Sequence, residues 1–186
     1  MVTPRASHKG YVRPVGLASL GGDSYFAEPY RVRSPHRVHV GSGVTVEARS
    51  VLSVVDVLDG ERYGGVLRIG DGCAIESDFY VHCAGEVTLG DDVRIGPRVF
   101  LGDSVPDASR TDSSAIGLRV DAPRPVRIGD GAVIGAGTVI LPGVAIGAGA
   151  CVAPGSAVTR DVPSGAVVAG FPTRAVRRGR PAGGEG

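Results

Sequence analysis

From Ile128 onward an aliphatic residue returns at every sixth position: Ile128, Ile134, Ile140, Ile146, Val152 and Val158. Two residues before each stands a small or second aliphatic residue: Val126, Ala132, Thr138, Val144, Ala150 and Ser156. Gly131, Gly137, Gly143, Gly149 and Gly155 form a third row at the same period. A helix repeats at about 3.6 residues and a half-buried strand at 2, so a strict period of six asks for a coil of short strands joined by tight corners. Three such units close one triangular turn. The large aliphatic residue points into the prism, the small one fits beside it, and glycine tolerates the positive φ of a corner. Successive turns then stack about 4.8 Å apart through parallel backbone ladders. Each buried aliphatic side chain contributes about 1.5–3 kcal/mol, so six in one run outweigh the local entropy cost of the glycines.

The same ruler continues upstream with interruptions. Leu89, Ile95 and Leu101 form one run, Ile69, Ile75 and Val81 another, and Val40, Val46 and Leu52 a first, degenerate coil. The predicted organisation is an irregular amino-terminal cap over residues 1–39, a hexapeptide-repeat β-helix over 40–162 with inserted loops at 56–66 and 103–125, a carboxy-terminal cap over 163–178, and a disordered tail over 179–186. A two-residue offset between Val81 and Leu89 predicts a small bulge around Cys83–Gly85. Pro163 and Pro172 stop the coil, and Ala175–Arg178 is read as one helical turn over its open end. The 103–125 insertion contains SVPDASRTDSS, too polar for a core, and a loop of this length on a compact scaffold is more often functional than idle.

The chain has 186 residues, enough for one domain. Four Phe, five Tyr and no Trp leave the core to Val, Ile, Leu and Ala, which suits thin, uniform β layers. A formal charge of +1, with Lys9 the only lysine, gives no case for nucleic acid. No apolar run is long enough to cross a bilayer and no signal-peptide core opens the chain, so a soluble cytoplasmic protein without membrane insertion is expected. Cys73, Cys83 and Cys151 form no CxxC pair and read as packing residues in a reducing compartment.

The run VRIGDGAVIGAGTVILPGVAIGAGACVAPGSAVTRDVPSGAVVAGFPTRAVRR resembles the carboxy-terminal half of hexapeptide-repeat O-acetyltransferases, such as those acting on maltose, galactosides and serine and the sugar acyltransferases of polysaccharide clusters. The resemblance spans residues 36–178 in outline and 89–178 closely. It implies an all-β, left-handed parallel β-helix, a homotrimer with an active site in each cleft between prisms, and acetyl-CoA as acyl donor, with no metal. It places the pantetheine arm against Gly135, Ala136, Ala153, Thr159 and Arg160, and the adenine and 3′-phosphate against Arg174, Arg177 and Arg178. Gly and Ala let backbone amides approach such a thread, and arginine matches phosphate with paired donors.

One departure is plain. The family's catalytic histidine, often in a motif resembling SDHNH, falls just after the coil matching Val99–Leu101, where this chain reads GDSVPD over 102–107. That imidazole normally takes the proton from the acceptor hydroxyl as it attacks the thioester. Of the four histidines, His8, His36 and His39 sit in the cap or earliest coil, whereas His82 follows the inward Val81 in DFYVH, similar to the stretch lining the acceptor pocket of galactoside-type enzymes. His82 is therefore the candidate base, with Asp103 or Asp107 orienting the ring or the acceptor, and Tyr80, Ser104 and Asp107 as acceptor-binding candidates.

Two readings stand: an acyltransferase, first of all an O-acetyltransferase acting on a hydroxyl of a sugar or small metabolite with a non-standard base, or a catalytically inactive homologue serving as a ligand-binding or scaffold trimer. A γ-class carbonic anhydrase would need three converging histidines, and beyond residue 39 the chain has only His82.

Overall fold

The structure, a computed structural model, describes residues 10–58, 61–104 and 122–177. Its strands form a three-faced prism of parallel sheets. The first coil is made of Ser19–Leu20, Tyr25–Ala27 and Arg31–Arg33, one strand on each face, and five further coils stack upon it in the same order. The inward residues align face by face. Leu20, Val40, Ile69, Leu89, Ile128 and Ile146 stack on the first face, and the bridge from Ile146 to Val162 extends it. Phe26, Val46, Ile75, Ile95, Ile134, Val152 and Val168 stack on the second. Val32, Leu52, Val81, Leu101, Ile140 and Val158 stack on the third. Every six-residue run of the sequence keeps its register, and these side chains fill one continuous core.

The coil begins earlier than the sequence predicts. Residues 19–33, assigned to an irregular cap, supply strands to all three faces, and Tyr11–Val12 adds an antiparallel strand beside Tyr25–Ala27. The period is hidden there because Leu20, Phe26 and Val32 keep six-residue spacing while Val32 and Val40 lie eight apart. The far end also differs. Arg174–Arg177 is no helical turn but a strand running antiparallel to Val167–Ala169, so it satisfies the exposed edge of the last coil with backbone hydrogen bonds. The predicted bulge at Cys83–Gly85 is a corner between Tyr80–Cys83 and Glu86–Leu89. The tail 179–186 and most of the 103–125 insertion lie outside the described residues.

All the extra residues leave the prism at one edge. Val32 to Val40, Leu52 to Ile69, Val81 to Leu89 and Leu101 to Ile128 each exceed the six-residue spacing, and each step runs from the third face to the first. Within the 56–66 insertion, Val57–Leu58 pairs antiparallel with Glu61–Arg62. The other two edges keep the six-residue period. At Gly135 a Cβ would come within 2.4 Å of the Pro154 nitrogen in the next coil, so no larger residue fits. At Gly137 the constraint is conformational: φ is 65° and nothing lies within 4 Å of a Cβ. In earlier coils this left-handed corner is held by Arg49, Asp78 and Arg98. Arg49 and Asp78 compensate with a two-point ion pair between neighbouring coils, at 2.7 and 2.8 Å, which holds the Asp78 carboxyl below its ordinary range.

A second inter-coil device runs along the edge between the first and second faces. The Ser42 amide donates to Asp71 at 2.7 Å, the Asp71 amide to Asp91 at 2.8 Å, and the Asp91 amide to Asp130 at 3.0 Å. Each carboxylate caps the coil before it, and the glycine preceding each capped amide, such as Gly70 against Asp91, leaves room for the side chain.

The cysteines do not meet. Cys73 and Cys83 are buried and donate to the Gly90 and Val66 carbonyls, at 3.1 and 3.3 Å. Burial lifts the Cys73 thiol from 9.0 to about 11 and raises Cys83 further. Because the unfolded chain ionises these thiols first, their contribution to stability is complete below pH 9 and disappears as pH rises through the folded value. Among the described residues no helix is long and apolar enough to cross a membrane.

Replacing Gly137 by Ala should therefore cost about 1–2 kcal/mol through backbone strain alone, since the added methyl meets nothing. Urea unfolding with an unchanged m-value would show this loss; full retention of stability would mean that the corner relaxes out of the left-handed region.

Candidate functional site

The third face carries the candidate site. Alternation along its strands sends Val32, Leu52, Val81 and Leu101 inward, so their neighbours on either side face out. One outward column runs Arg31, Val51, Tyr80, Phe100 and Val139; the next, nearer the insertion edge, runs Arg33, Ser53, His82 and Gly102. Tyr80 stacks on Phe100 with ring centroids 5.5 Å apart and planes 12° from parallel. Tyr80 is thus brought beside His82 on one strand, two residues and about 6.6 Å along the pleat.

His82 is half-buried, and its ring makes no hydrogen bond to any of the described residues. Burial lowers its pKa, Asp103 opposes that shift, and Arg33 adds to it. The imidazole therefore stands neutral at neutral pH with a nitrogen able to accept a proton. Gly102 makes the room: a Cβ there would lie 3.5 Å from the His82 Cβ and 3.2 Å from the Ser104 carbonyl.

Asp103, predicted to be catalytic, is engaged by the backbone beside His82. It is fully buried, and its Oδ1 and Oδ2 accept the amides of Ala84 and Gly85 at 2.9 and 2.7 Å, with the Ser104 hydroxyl donating to Oδ1 at 3.2 Å. Its own amide donates to the His82 carbonyl at 3.1 Å, and its carbonyl receives the Arg124 amide at 2.7 Å. One side chain and its backbone thus bind the corner after His82, the start of the long insertion and the point where the insertion returns. Ser104, predicted to bind the acceptor, is buried in the same cluster. Asp107 lies outside the described residues.

On one chain the residues predicted to hold the acyl donor occupy three positions. Gly135, Ala136 and Ala153 lie at corners between the second and third faces, with Gly135 packed against Pro154 of the next coil. Thr159 and Arg160 are exposed on the opposite side of the third face, after Ala157–Val158. Arg174 is exposed at the start of the last strand, past Phe171, whose side chain is 86% exposed. Arg177 ends that strand, and Arg178 lies outside the described residues. Among the described residues no three His, Cys, Asp or Glu side chains are grouped to hold a metal ion.

Sequence reasoning missed Arg33, Ser53, Asp56 and Phe100. Arg33 donates to the Val57 carbonyl at 3.1 Å, and Asp56 is held by Arg37 at 3.0 Å and His36 at 3.5 Å, so these groups root the 57–62 hairpin beside the His82 column. The signal was the outward parity of Arg33, readable only once Val32 is aligned with Leu52.

This architecture, with its six-residue period, is the left-handed parallel β-helix fold. Residues 125–160 match the family described as bacterial transferase hexapeptide (six repeats). The chain is 45% identical over 103 residues to nodulation protein L of Rhizobium meliloti (strain 1021), covering 54% of each chain. It is 40% identical over 84 residues to nodulation protein L of Rhizobium leguminosarum bv. viciae, covering 44% of this chain and 42% of that one. The chain thus spans about half the length of these relatives or less. In structure it is similar to a mutant of AntD, an N-acyltransferase from Bacillus cereus solved with dTDP and coenzyme A, with a TM-score of 0.78 at 19% identity over 94% of this chain and 93% of that chain. A hexapeptide-repeat acetyltransferase from Vibrio cholerae solved with acetyl coenzyme A gives a TM-score of 0.60 at 23% identity, over 88% of this chain and 72% of that one.

Replacing Asp103 by Ala leaves the buried Ala84 amide and the half-buried Gly85 amide without acceptors and should destabilise the fold by about 2–4 kcal/mol in urea unfolding. A loss under about 0.5 kcal/mol would show that the carboxylate is not the clamp.

Proposed function

We propose that this protein is a CoA-dependent acyltransferase, first of all an O-acetyltransferase, that moves the acyl group of acetyl-CoA to a hydroxyl of a sugar or small metabolite. The observation that carries this reading is His82: a half-buried imidazole without a hydrogen-bonding partner among the described residues, held neutral beside an aromatic platform at the edge where every insertion leaves the coil. Similarity to acyltransferases crystallised with coenzyme A or acetyl coenzyme A supports the donor. The AntD structures also include dTDP-4-amino-4,6-dideoxyglucose, which supports a sugar as acceptor class.

The chemistry follows from the ring's state. An acceptor O–H placed over the face of Tyr80 gives its proton to His82 while its oxygen attacks the thioester carbonyl carbon. The tetrahedral adduct collapses with cleavage of the C–S bond, and the proton on His82 passes to the departing CoA sulfur. Asp103 takes no proton in this scheme. It fixes the corner that carries His82, and its charge favours the imidazolium formed in the transition state.

The protein is expected to work as a trimer in the cytoplasm, with the donor bound in clefts between prisms. Tyr80 and Val139 on the third face and Val133 on the second are large apolar side chains left exposed on a single chain, which favours burial against a second copy. The scaffold reading rests on one observation: Gly102, Asp103 and Ser104, where the family places its histidine, are buried and carry no free base.

Calorimetric titration with acetyl-CoA should show saturable binding near one site per chain, weakened in Arg177→Ala; no binding at millimolar ligand would favour the scaffold. With an accepted substrate, His82→Ala should lower kcat by about 10²-fold or more, and unchanged turnover would remove the base assignment. Because burial lowers the His82 pKa, kcat/KM should rise with pH through a value below the ordinary 6.5 and be flat at neutrality. An acid limb above 6.5 would point to another group.

A further inference from the structure

Four features converge beside His82. Arg33, Ser53 and His82 occupy adjacent register positions on three neighbouring strands of the third face, so all three side chains project outward in one column. Gly102 ends that column with no side chain. Arg33 spends one guanidinium nitrogen on the Val57 carbonyl, which ties its head to the hairpin edge and leaves its other donors unused by the described residues. The Ser53 hydroxyl and the His82 ring likewise have no hydrogen-bonding partner among the described residues.

The countercharges that would normally serve an arginine here are already engaged. Both Asp103 oxygens are buried on backbone amides, and Asp56 on the hairpin is paired with Arg37 and His36. Tyr80 and Phe100 flank the column with an uncharged aromatic stack. A cationic fork, a hydroxyl and an imidazole therefore share one outward column, with no free carboxylate in it among the described residues. That is the donor set for a planar or tetrahedral anion, which arginine matches with paired hydrogen bonds.

We propose that Arg33 and Ser53 form an anion subsite that selects acceptors carrying a carboxylate or phosphate, such as a uronic acid or a sugar phosphate, and sets their hydroxyl against His82. This deepens the acyltransferase reading and rests on it for the word acceptor, but the subsite itself is testable without turnover. Burial is the main cause that holds the imidazolium down and Arg33 adds to it, so an anion that neutralises Arg33 is felt as a rise in the His82 pKa. The same anion thereby makes His82 a stronger base when the acceptor is in place.

The experiment is a pH titration of the four histidines by NMR of the 15N-histidine-labelled full chain, at constant ionic strength, with inorganic phosphate and then glucuronate as probes. The His82 signals are assigned by their loss in His82→Ala. The expected result is a saturable rise in the His82 pKa with either probe, abolished in Arg33→Gln and partly kept in Arg33→Lys. Without ligand, Arg33→Gln should itself raise the His82 pKa, since it removes the positive neighbour. No shift with up to about 50 mM of either probe, or a shift that persists in Arg33→Gln, overturns the subsite. Arg33 is exposed, so the variant is expected to fold, and an unaltered thermal transition checks that it has. With an active acceptor, a sugar phosphate should exceed its neutral parent in kcat/KM by about ten- to hundredfold, with the advantage lost in Arg33→Gln. A phosphate-responsive His82 in a protein that binds no acetyl-CoA upholds the subsite and removes acyl transfer. Acetyl-CoA binding with a phosphate-blind His82 removes the subsite alone.

Discussion

The stacking of like on like along the prism axis governs the rest of this molecule. Each coil buries its three inward side chains only because the coils above and below present theirs at the same register, as in the unbroken column from Phe26 to Val168. A slip of one residue in any strand would turn that column outward and carry the polar set in. Length change is therefore tolerated only at corners. Gly135 against Pro154 shows how tightly a corner can be built. The edge from the third face to the first has absorbed every insertion while staying tied across coils, through Gly65 against the Cys83 carbonyl and Asp103 on the amides of Ala84 and Gly85. Variable segments are thus concentrated on one side of the prism.

The coil was legible in the sequence wherever the period ran unbroken. Ile128 to Val158 gave strand positions, inward parity and stacking order without ambiguity, because a six-residue repeat has no competing reading as helix or simple strand. The first coil was not legible. Leu20, Phe26 and Val32 are three apolar residues in a stretch rich in Gly, Ser and Pro, and the two-residue excess before Val40 breaks the ruler where a reader would test it. That miss had a chemical cost. With residues 1–39 set aside as a cap, Arg33 had no parity, and its place in the His82 column could not be seen. The last strand was misread for a related reason: Arg174–Arg177 has helix-tolerant composition, but the open sheet edge beside Val167–Ala169 decides its conformation.

The candidate site divides in the same way. Tyr80 and His82 share a strand, so the sequence placed them together by parity. The buried, saturated state of Asp103 was invisible, because nothing in GDSVPD says that the corner amides of Ala84 and Gly85, nineteen and eighteen residues earlier, will point at its carboxylate. Such contacts are created by coil-on-coil stacking and have no local signature. Gly135 is small because its corner packs against Pro154 of the next coil, so its smallness carries no information about a ligand.

A base on a strand differs physically from one on a loop. A loop histidine gains its geometry when the loop closes, whereas His82 has its backbone fixed by ladders to Ser53 on one side and Gly102 on the other. Its pKa is set by the same framework: burial and Arg33 press it down while Asp103, locked by two amides, holds it up. The Asp103 charge cannot drift without breaking the corner, and Arg33 is tethered to the hairpin at the Val57 carbonyl. The scaffold thus supplies orientation and proton affinity together, and the insertion edge is left to vary for recognition. On the proposed reading the base therefore sits on the more rigid element, where preorganisation is greatest.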